Sequence, residues 1–112
     1  MNKEKNLKIA QAIEKFVLEN ELQTDMRIYF NGICWDYDSD GKKTILEDKK
    51  ASNYFDYAND EMVSVSTEGG LYDLLNNGDM RQEEFGKIFE KLGVYFEMGN
   101  AWNFSVWGDD KE

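Results

Sequence analysis

Hydrophobic residues recur at helical spacing near the start of the chain. Between residues 3 and 20 the apolar positions fall three or four apart, with lysine and glutamate around them. This spacing places them on one stripe of a helix, the arrangement by which a surface helix packs on a core. The pattern predicts a first helix whose buried stripe contains Leu7, Ala10, Ile13, Phe16 and Val17.

Alternation of apolar and polar residues replaces the helical spacing from Met26 onward. Asn31-Gly32 interrupts it, and this dipeptide is the strongest short signal for a two-residue hairpin turn. Such a turn sets the register, because a slip of one residue would move every side chain to the other face. The predicted pairs are Phe30 with Ile33, Ile28 with Trp35, Tyr29 with Cys34, and Arg27 with Asp36.

Shorter apolar segments follow, separated by glycine, asparagine and aspartate. Val63 and Val65 alternate with serines, which is typical of a strand with one polar face. Gly69-Gly70 ends this strand, and leucines at helical spacing come next. The predicted elements are a strand at 44–47, a short helix at 51–58, a strand at 62–67 and a short helix at 71–76.

The remaining residues predict a helix followed by a second hairpin. Asp79 and Gln82 have the spacing of a capping box, and Gly93 stands where a helix C-terminal glycine belongs. Segments 94–98 and 102–106 then alternate. A three-residue turn at 99–101 keeps both apolar sets on one face, which predicts pairing of Met98 with Trp102 and of Phe96 with Phe104.

These elements follow one another in the order α-β-β-β-α-β-α-α-β-β. The expected fold class is α+β, with a mainly antiparallel sheet of about five or six strands and helices packed on one face. The chain has 112 residues, which suits a single domain, 1–112, that buries its own core.

Composition narrows the class of protein. Hydrophobic residues form 41% of the chain and aromatic residues 14%, which is too apolar for a disordered protein. No apolar run is long enough to cross a membrane, and the first residues lack the apolar stretch of a signal peptide. Cys34 is the only cysteine, so no internal disulfide forms, and we expect a cytoplasmic location.

Histidine is absent from the sequence. Its absence removes the commonest general base and the Ser-His and Cys-His nucleophile pairs, so we expect that the chain is not an enzyme. It also excludes histidine-based transition-metal sites, which leaves calcium and magnesium as the metals that oxygen ligands would hold.

The charge is strongly negative and unevenly distributed. The net charge is −10, from 23 acidic and 13 basic residues. Acids dominate segments 16–40 and 51–86, whereas segment 41–50 carries four lysines against two acids. A protein that binds nucleic acid directly usually has the opposite sign, whereas a partner protein with a basic surface would be attracted.

Residues 36–47 match the calcium loop of the EF-hand. The pattern D-x-D-x-D-G, with a glutamate at the twelfth position, supplies oxygen ligands at the required spacing. In this interpretation Ca2+ is the cofactor, and its ligands are Asp36, Asp38, Asp40, the Lys42 carbonyl and Glu47. The flanks disagree, because a predicted hairpin precedes the loop where an EF-hand has a helix. The same residues fit a strand end with outward acids and an ordinary turn, which needs no cofactor.

A third interpretation assigns these acids to a partner. Outward carboxylates on alternate strand residues lie about 6.6–6.8 Å apart, a spacing comparable to that of neighbouring phosphates on a nucleic-acid strand. With later acids they would present a phosphate-like surface to a basic groove. The candidate partner-binding residues are Asp36, Asp38, Asp40, Asp56, Asp60, Glu61, Glu68 and Asp73. A further candidate patch would come from exposed members of an aromatic set, most of which fit the core or a half-buried sheet face instead: Tyr29, Tyr37, Tyr54, Tyr57, Tyr72, Tyr95 and Trp107.

Two segments carry a resemblance of general character, YFNGICWDYDSDG at 29–41 and GVYFEMGNAWNFSVW at 93–107. With its acidic composition and single cysteine, the chain resembles small proteins of phages and mobile elements, anti-CRISPR and anti-restriction families among them. The resemblance implies an inhibitor that occupies the basic site of a nucleic-acid enzyme. It assigns no site residues.

The leading hypothesis is therefore a cytoplasmic inhibitor that presents carboxylates and aromatic residues to a basic partner protein, with a nucleic-acid-processing enzyme as one such partner. The alternatives are a calcium-binding module and a structural or homodimeric protein built on the free face of the sheet. Neither direct binding to nucleic acid nor a membrane location is expected.

Overall fold

The computed structural model describes residues 2–108, which form three α-helices and one six-stranded sheet. A single 3-10 turn, Ala51–Asn53, lies between the third and fourth strands. The predicted α+β class and element order are confirmed. In chain order the elements are α1 (Lys3–Glu19), β1 (Met26–Phe30), β2 (Ile33–Tyr37), β3 (Lys43–Glu47), β4 (Val63–Thr67), α2 (Gly70–Asn76), α3 (Arg81–Lys91), β5 (Val94–Asn100) and β6 (Asn103–Gly108).

The six strands form an antiparallel sheet in the order β3-β2-β1-β4-β6-β5. β1 is central because the first hairpin supplies β2 on one side and β4 returns on the other. The β1–β2 and β5–β6 hairpins therefore lie on opposite sides of β4, and β3 and β5 are the edges of the sheet.

The first hairpin has the predicted register. Asn31 and Gly32 have φ values of 53° and 80°, as a type I′ turn requires of both central residues. Asparagine and glycine adopt this left-handed conformation more readily than other residues. Every predicted pair is confirmed, from Phe30 with Ile33 to Arg27 with Asp36.

The second hairpin has a different register from the predicted one. Met98 pairs with Phe104 and Phe96 with Val106, so the proposed three-residue turn at 99–101 is wrong. The strands turn through two residues, Ala101 and Trp102, and a register shift lies between Met98 and Asn100. The register shift acts as a one-residue bulge in β5. Beyond the bulge, the side chains of the two strands alternate between the faces as they would after a three-residue turn. The predicted face therefore holds for Phe96 and Phe104, which contact the main core, but not for Trp102, which packs against the cluster on the other face.

The helices pack on one face of the sheet and enclose the main core, as predicted. Phe85 of α3 is fully buried, and its ring centroid lies 5.0 Å from that of Phe16 and 5.7 Å from that of Phe104. These contacts join α1, α3 and β6. Trp35 and Tyr37 of β2 also point into this core, so Asp36 between them faces the opposite side.

The helix ends differ in detail from the prediction. Asp79 accepts a hydrogen bond from the Arg81 N–H at 2.8 Å, but Gln82 does not complete a capping box. Its amide instead donates to the Leu74 carbonyl at 2.7 Å and so holds the end of α2. Gly93 follows α3 with a φ of 74°, as predicted for a C-terminal glycine. Within 2–108, no helix has both the length and the hydrophobicity needed to cross a bilayer.

Segment 51–61 covers part of the other sheet face. The helix predicted over 51–58 is confined to one 3-10 turn that ends at Asn53, and Tyr57 later turns the chain with a φ of 63°. Ser105 donates to the Tyr57 carbonyl at 3.0 Å, and Asn59 donates to the Val106 carbonyl at 2.8 Å. A second apolar cluster forms beneath this segment from Tyr29, Cys34, Ala51 and Phe55.

Candidate functional site

A groove lies on the sheet face opposite the helices, beyond the area that segment 51–61 covers. Its volume is about 430 Å3, and it occupies the end of the sheet where β1 begins and β2 ends. Arg27, Asp36 and Ser66 line it from three adjacent strands. Four acidic residues, Asp25, Asp36, Asp38 and Glu68, line the groove together with one basic residue, Arg27. We refer to this site as the acidic groove.

Three of these acids form a rim whose position is set by the backbone. The Asp25 N–H donates to the Asp38 carbonyl at 3.0 Å, and the Glu68 N–H donates to the Asp25 carbonyl at 2.9 Å. Asp25 adopts a left-handed conformation with a φ of 51°, which aspartate tolerates better than most residues. We call Asp25, Asp38 and Glu68 the acidic rim, since this chain of hydrogen bonds joins three separate segments.

The rim carboxylates are exposed and form no ion pair with any residue in 2–108. Asp36 differs from them, because Arg27 Nε lies 3.1 Å from its Oδ1. Arg27 also donates to the Tyr29 hydroxyl at 3.4 Å. Burial raises the pKa of Tyr29 above its usual value, so the hydroxyl stays neutral and accepts this bond. The groove therefore has a partly neutralised floor and a negatively charged rim.

Asp38 also caps the turn that leads into β3. Its Oδ1 accepts hydrogen bonds from the Asp40 N–H at 2.8 Å and the Lys42 N–H at 2.9 Å. The hydrogen bond from the Lys42 N–H, followed by that from the Asp40 N–H, holds the pKa of Asp38 below its ordinary value. The carboxylate therefore remains charged at neutral pH while its second oxygen is free of the turn bonds.

A wall of aromatic side chains borders the groove at the margin of the sheet area that segment 51–61 covers. Tyr54 stacks on Tyr29, with ring centroids 5.7 Å apart and an interplanar angle of 29°. Phe55 meets Trp102 edge to face at 5.6 Å. We call Tyr29, Tyr54, Phe55 and Trp102 the aromatic wall. Tyr54 is 47% exposed, so part of its ring is available to a ligand.

The five residues of the calcium interpretation do not converge. Glu47 pairs with Ile33 at the far end of the β2–β3 hairpin, away from Asp38 and Asp40. The Lys42 carbonyl accepts the Asp38 N–H at 3.1 Å, so it serves the hairpin. Within the part of the chain that the structure describes, no group of three or more acidic or cysteine side chains is placed to hold a metal ion.

The eight acids proposed for partner binding are divided among several surfaces. Asp36, Asp38 and Glu68 line the acidic groove, and Asp40 is exposed at the adjacent turn. Asp60 accepts from the Ser52 N–H at 3.1 Å and, with Glu61, lines a separate cavity of about 480 Å3 near Lys49 and Lys50. Asp56 borders a third depression, and Asp73 is exposed on α2.

Two residues of the groove, Asp25 and Trp102, were not predicted from the sequence to belong to a site. Asp25 lies in a loop between predicted elements, and only its backbone bonds to distant segments bring it to the rim. Trp102 was assigned to a strand, whereas it occupies the turn and packs on Phe55. The density of acids in 16–40 was the one signal that pointed to Asp25.

Comparisons of the chain with protein-family models, curated proteins and solved structures found no match. The functional conclusion therefore depends on the chemistry of the acidic groove. That chemistry combines uncompensated negative charge with an accessible aromatic ring, in a depression large enough for a side chain of a second molecule.

Proposed function

We propose that the chain is a protein-interaction module whose acidic groove binds a basic segment of a partner protein. The acidic rim is the observation that carries this proposal. Asp25, Asp38 and Glu68 come from three segments, are held side by side by backbone hydrogen bonds, and have no ion-pair partner among residues 2–108. Uncompensated charges in a depression attract and orient oppositely charged groups.

The chemistry of the groove favours arginine over lysine as the side chain that enters it. A guanidinium group is planar, so it stacks on an aromatic ring while its N–H groups reach carboxylate oxygens. Tyr54 offers the ring, and the rim offers the oxygens. Within the chain, the Arg27 guanidinium likewise reaches a carboxylate and an aromatic residue, since it lies 3.1 Å from Asp36 and donates to the Tyr29 hydroxyl at 3.4 Å.

Binding of this kind would inhibit a nucleic-acid-processing enzyme. Such enzymes hold phosphates with arginine and lysine side chains, which supply most of the non-specific affinity. A small acidic domain that covers these side chains would prevent nucleic acid from reaching them. The proposal involves no catalytic step and no metal ion.

A salt-eluted pull-down from a bacterial lysate would identify the partner, and defined peptides would test the groove itself. We expect an arginine-rich peptide to bind more tightly than a lysine-rich peptide of equal charge, with affinity falling as salt rises. Fluorescence anisotropy of labelled peptides measures both affinities. Equal binding of the two peptides, with no effect of salt, would overturn the proposal.

A matched pair of variants separates the groove from net charge. The groove variant combines Asp25→Asn, Asp38→Asn and Glu68→Gln, which keep the shapes and the turn bonds of the native side chains. The control combines Glu83→Gln, Glu84→Gln and Glu90→Gln on α3, where the residues are exposed on the opposite side of the molecule. We expect the groove variant to lose on the order of tenfold in affinity, a usual sum for a few exposed ion pairs. Equal losses in both variants would show that binding follows net charge alone.

A further inference from the structure

The edge strand β3 leaves a row of backbone groups without partners. Among the strands within residues 2–108, only β2 pairs with it, and four of its five residues are exposed. The Asp38 N–H bonds to the Lys42 carbonyl, and hydrogen-bonded pairs alternate along an antiparallel ladder. Thr44 and Leu46 therefore direct their backbone groups toward β2. Lys43, Ile45 and Glu47 direct theirs outward, where no residue in 2–108 bonds to them.

The sequence of β3 is complementary to itself. If two copies of the strand pair in antiparallel fashion about Ile45, Lys43 lies opposite the partner subunit's Glu47, and Glu47 opposite the partner subunit's Lys43. The three outward residues then face one another, which gives about six backbone hydrogen bonds. Other registers that use the outward groups form fewer pairs. Beyond the strand ends, the same register brings Lys42 near Asp48 of the partner subunit, so each cross-strand charge meets an opposite one.

We propose that the chain forms a homodimer in which β3 pairs with β3 of a second copy about a two-fold axis at Ile45. An interface on a two-fold axis uses the same surface twice, so it requires the self-complementarity that β3 has. The two six-stranded sheets then form one continuous sheet. This inference is independent of the acidic groove, which lies on the sheet face rather than at its edge.

The side chains of β3 leave this edge open. Lysine on an edge strand usually prevents pairing with other chains. Here the Lys43 ammonium lies 3.7 Å from the centre of the Trp35 ring and 2.8 Å from Glu14, so the side chain lies over the helix face of the sheet and leaves the outward backbone groups of β3 uncovered. Ile45 is 56% exposed beside Trp35, and contact with the partner subunit's Ile45 would cover it.

The opposite edge lacks these properties. A register shift between Met98 and Asn100 interrupts β5, and bulges are a common means of ending pairing at an edge. Its central residues include Glu97, which would face a like charge across a two-fold axis through the strand. β3 is therefore the edge that fits a second copy.

Wild-type protein provides the first test. Sedimentation between about 1 μM and 1 mM should show a monomer that converts to a dimer. Hydrogen exchange at both ends of this range should show an alternating pattern. The amides of Lys43, Ile45 and Glu47 gain protection only at high concentration, whereas those of Thr44 and Leu46 are protected throughout. A monomer at every concentration, or a dimer without this alternation, would overturn the proposal.

Charge exchange provides the second test. Glu47→Lys places lysine opposite lysine in a homodimer, and Lys43→Glu places glutamate opposite glutamate, so each variant should dimerise about tenfold more weakly. A mixture of the two restores both opposite-charge pairs and should form a heterodimer. Glu97→Lys, the same charge change on β5, is the control and should dimerise like wild type. If Lys43→Glu fails to fold because its ion pair with Glu14 is lost, then Glu47→Lys and the hydrogen-exchange pattern of the wild-type protein still decide. Unaltered dimerisation of Glu47→Lys would refute the interface.

Discussion

Replacing glycine by alanine should have opposite effects at two positions of this chain. A Cβ atom at Gly69 would lie 2.2 Å from the Thr24 carbonyl oxygen and 2.6 Å from the Thr24 hydroxyl, where ordinary contact begins at 3.4 Å. The nearest atom belongs to the backbone, so rotation of a side chain does not relieve the overlap. Segments 24–25 and 68–70 would have to separate by roughly 1 Å to restore contact distance.

The expected cost of Gly69→Ala follows from this displacement. Forcing an extra methyl group into a closely packed site typically costs about 1–3 kcal/mol, and we expect the upper half of this range because the obstacle is the main chain. The hydrogen bond from the Glu68 N–H to the Asp25 carbonyl, at 2.9 Å, lies next to the displaced residues. The variant should therefore also bind basic peptides more weakly.

Gly86→Ala is the matched comparison. Gly86 lies inside α3, and a Cβ atom there would meet nothing within 4 Å. Alanine in a helix interior is favoured over glycine by about 1 kcal/mol, because glycine loses more backbone freedom on folding. The variant should be more stable than wild type by about this amount.

Urea unfolding followed by circular dichroism measures both changes, and thermal unfolding should shift by about 4 °C per kcal/mol for a chain of this size. We expect the midpoint to fall for Gly69→Ala and to rise for Gly86→Ala. Equal stability of Gly69→Ala and wild type would refute the close approach of Thr24 and Gly69. Destabilisation by Gly86→Ala would refute the open environment assigned to α3 at that residue.

Three further expectations follow from the core, the cysteine and the helix start. Phe85→Ala should lower the free energy of unfolding by about 3–5 kcal/mol in urea, because the buried ring contacts three other phenylalanines within 5.3 Å; a loss below 1 kcal/mol would contradict the packing. Burial raises the pKa of Cys34 from 9.0 to about 11. The stability that the buried neutral thiol contributes to the fold is therefore complete below pH 9 and is lost as pH rises toward 11. A thiol reagent at pH 8 should label it only in denaturant, and labelling in the native state would refute its burial. Hydrogen bonds from the side chain and backbone of Arg81 lower the pKa of Asp79 from 3.8 to about 2, so the stability it contributes is present above pH 3.8 and is lost as pH falls toward 2. Asp79→Asn should remove that part of the acid transition, and an identical acid profile would contradict the assignment.

Local signals in the sequence were sufficient for the first half of the sheet. Asn31-Gly32 specifies the turn, and the parity of the flanking apolar residues specifies the register, so both hairpin strands could be predicted. The second hairpin was different. Asn100 Oδ1 accepts from the Trp102 N–H and from the Asn103 side chain, each at 3.0 Å, and these bonds favour a turn one residue shorter. Such bonds depend on side-chain placement and leave no trace in hydrophobic periodicity.

The candidate site was only partly accessible from the sequence for a related reason. Alternation correctly placed Asp36 on the face opposite Trp35 and Tyr37, and so identified one wall of the groove. The rest depends on contacts between distant segments. Asp25 reaches the rim through backbone bonds to Asp38 and Glu68, which no local pattern encodes.

Asp38 belongs both to the acidic groove and to the turn that leads into β3. Its carboxylate faces the groove, and it also holds the Lys42 N–H at 2.9 Å, immediately before the edge strand. A cation that draws this carboxylate toward itself therefore acts on the geometry from which β3 starts. Thermodynamic linkage makes such an effect reciprocal, since any factor by which the cation changes self-association is the factor by which self-association changes cation affinity. One titration at two protein concentrations would measure that factor in both directions.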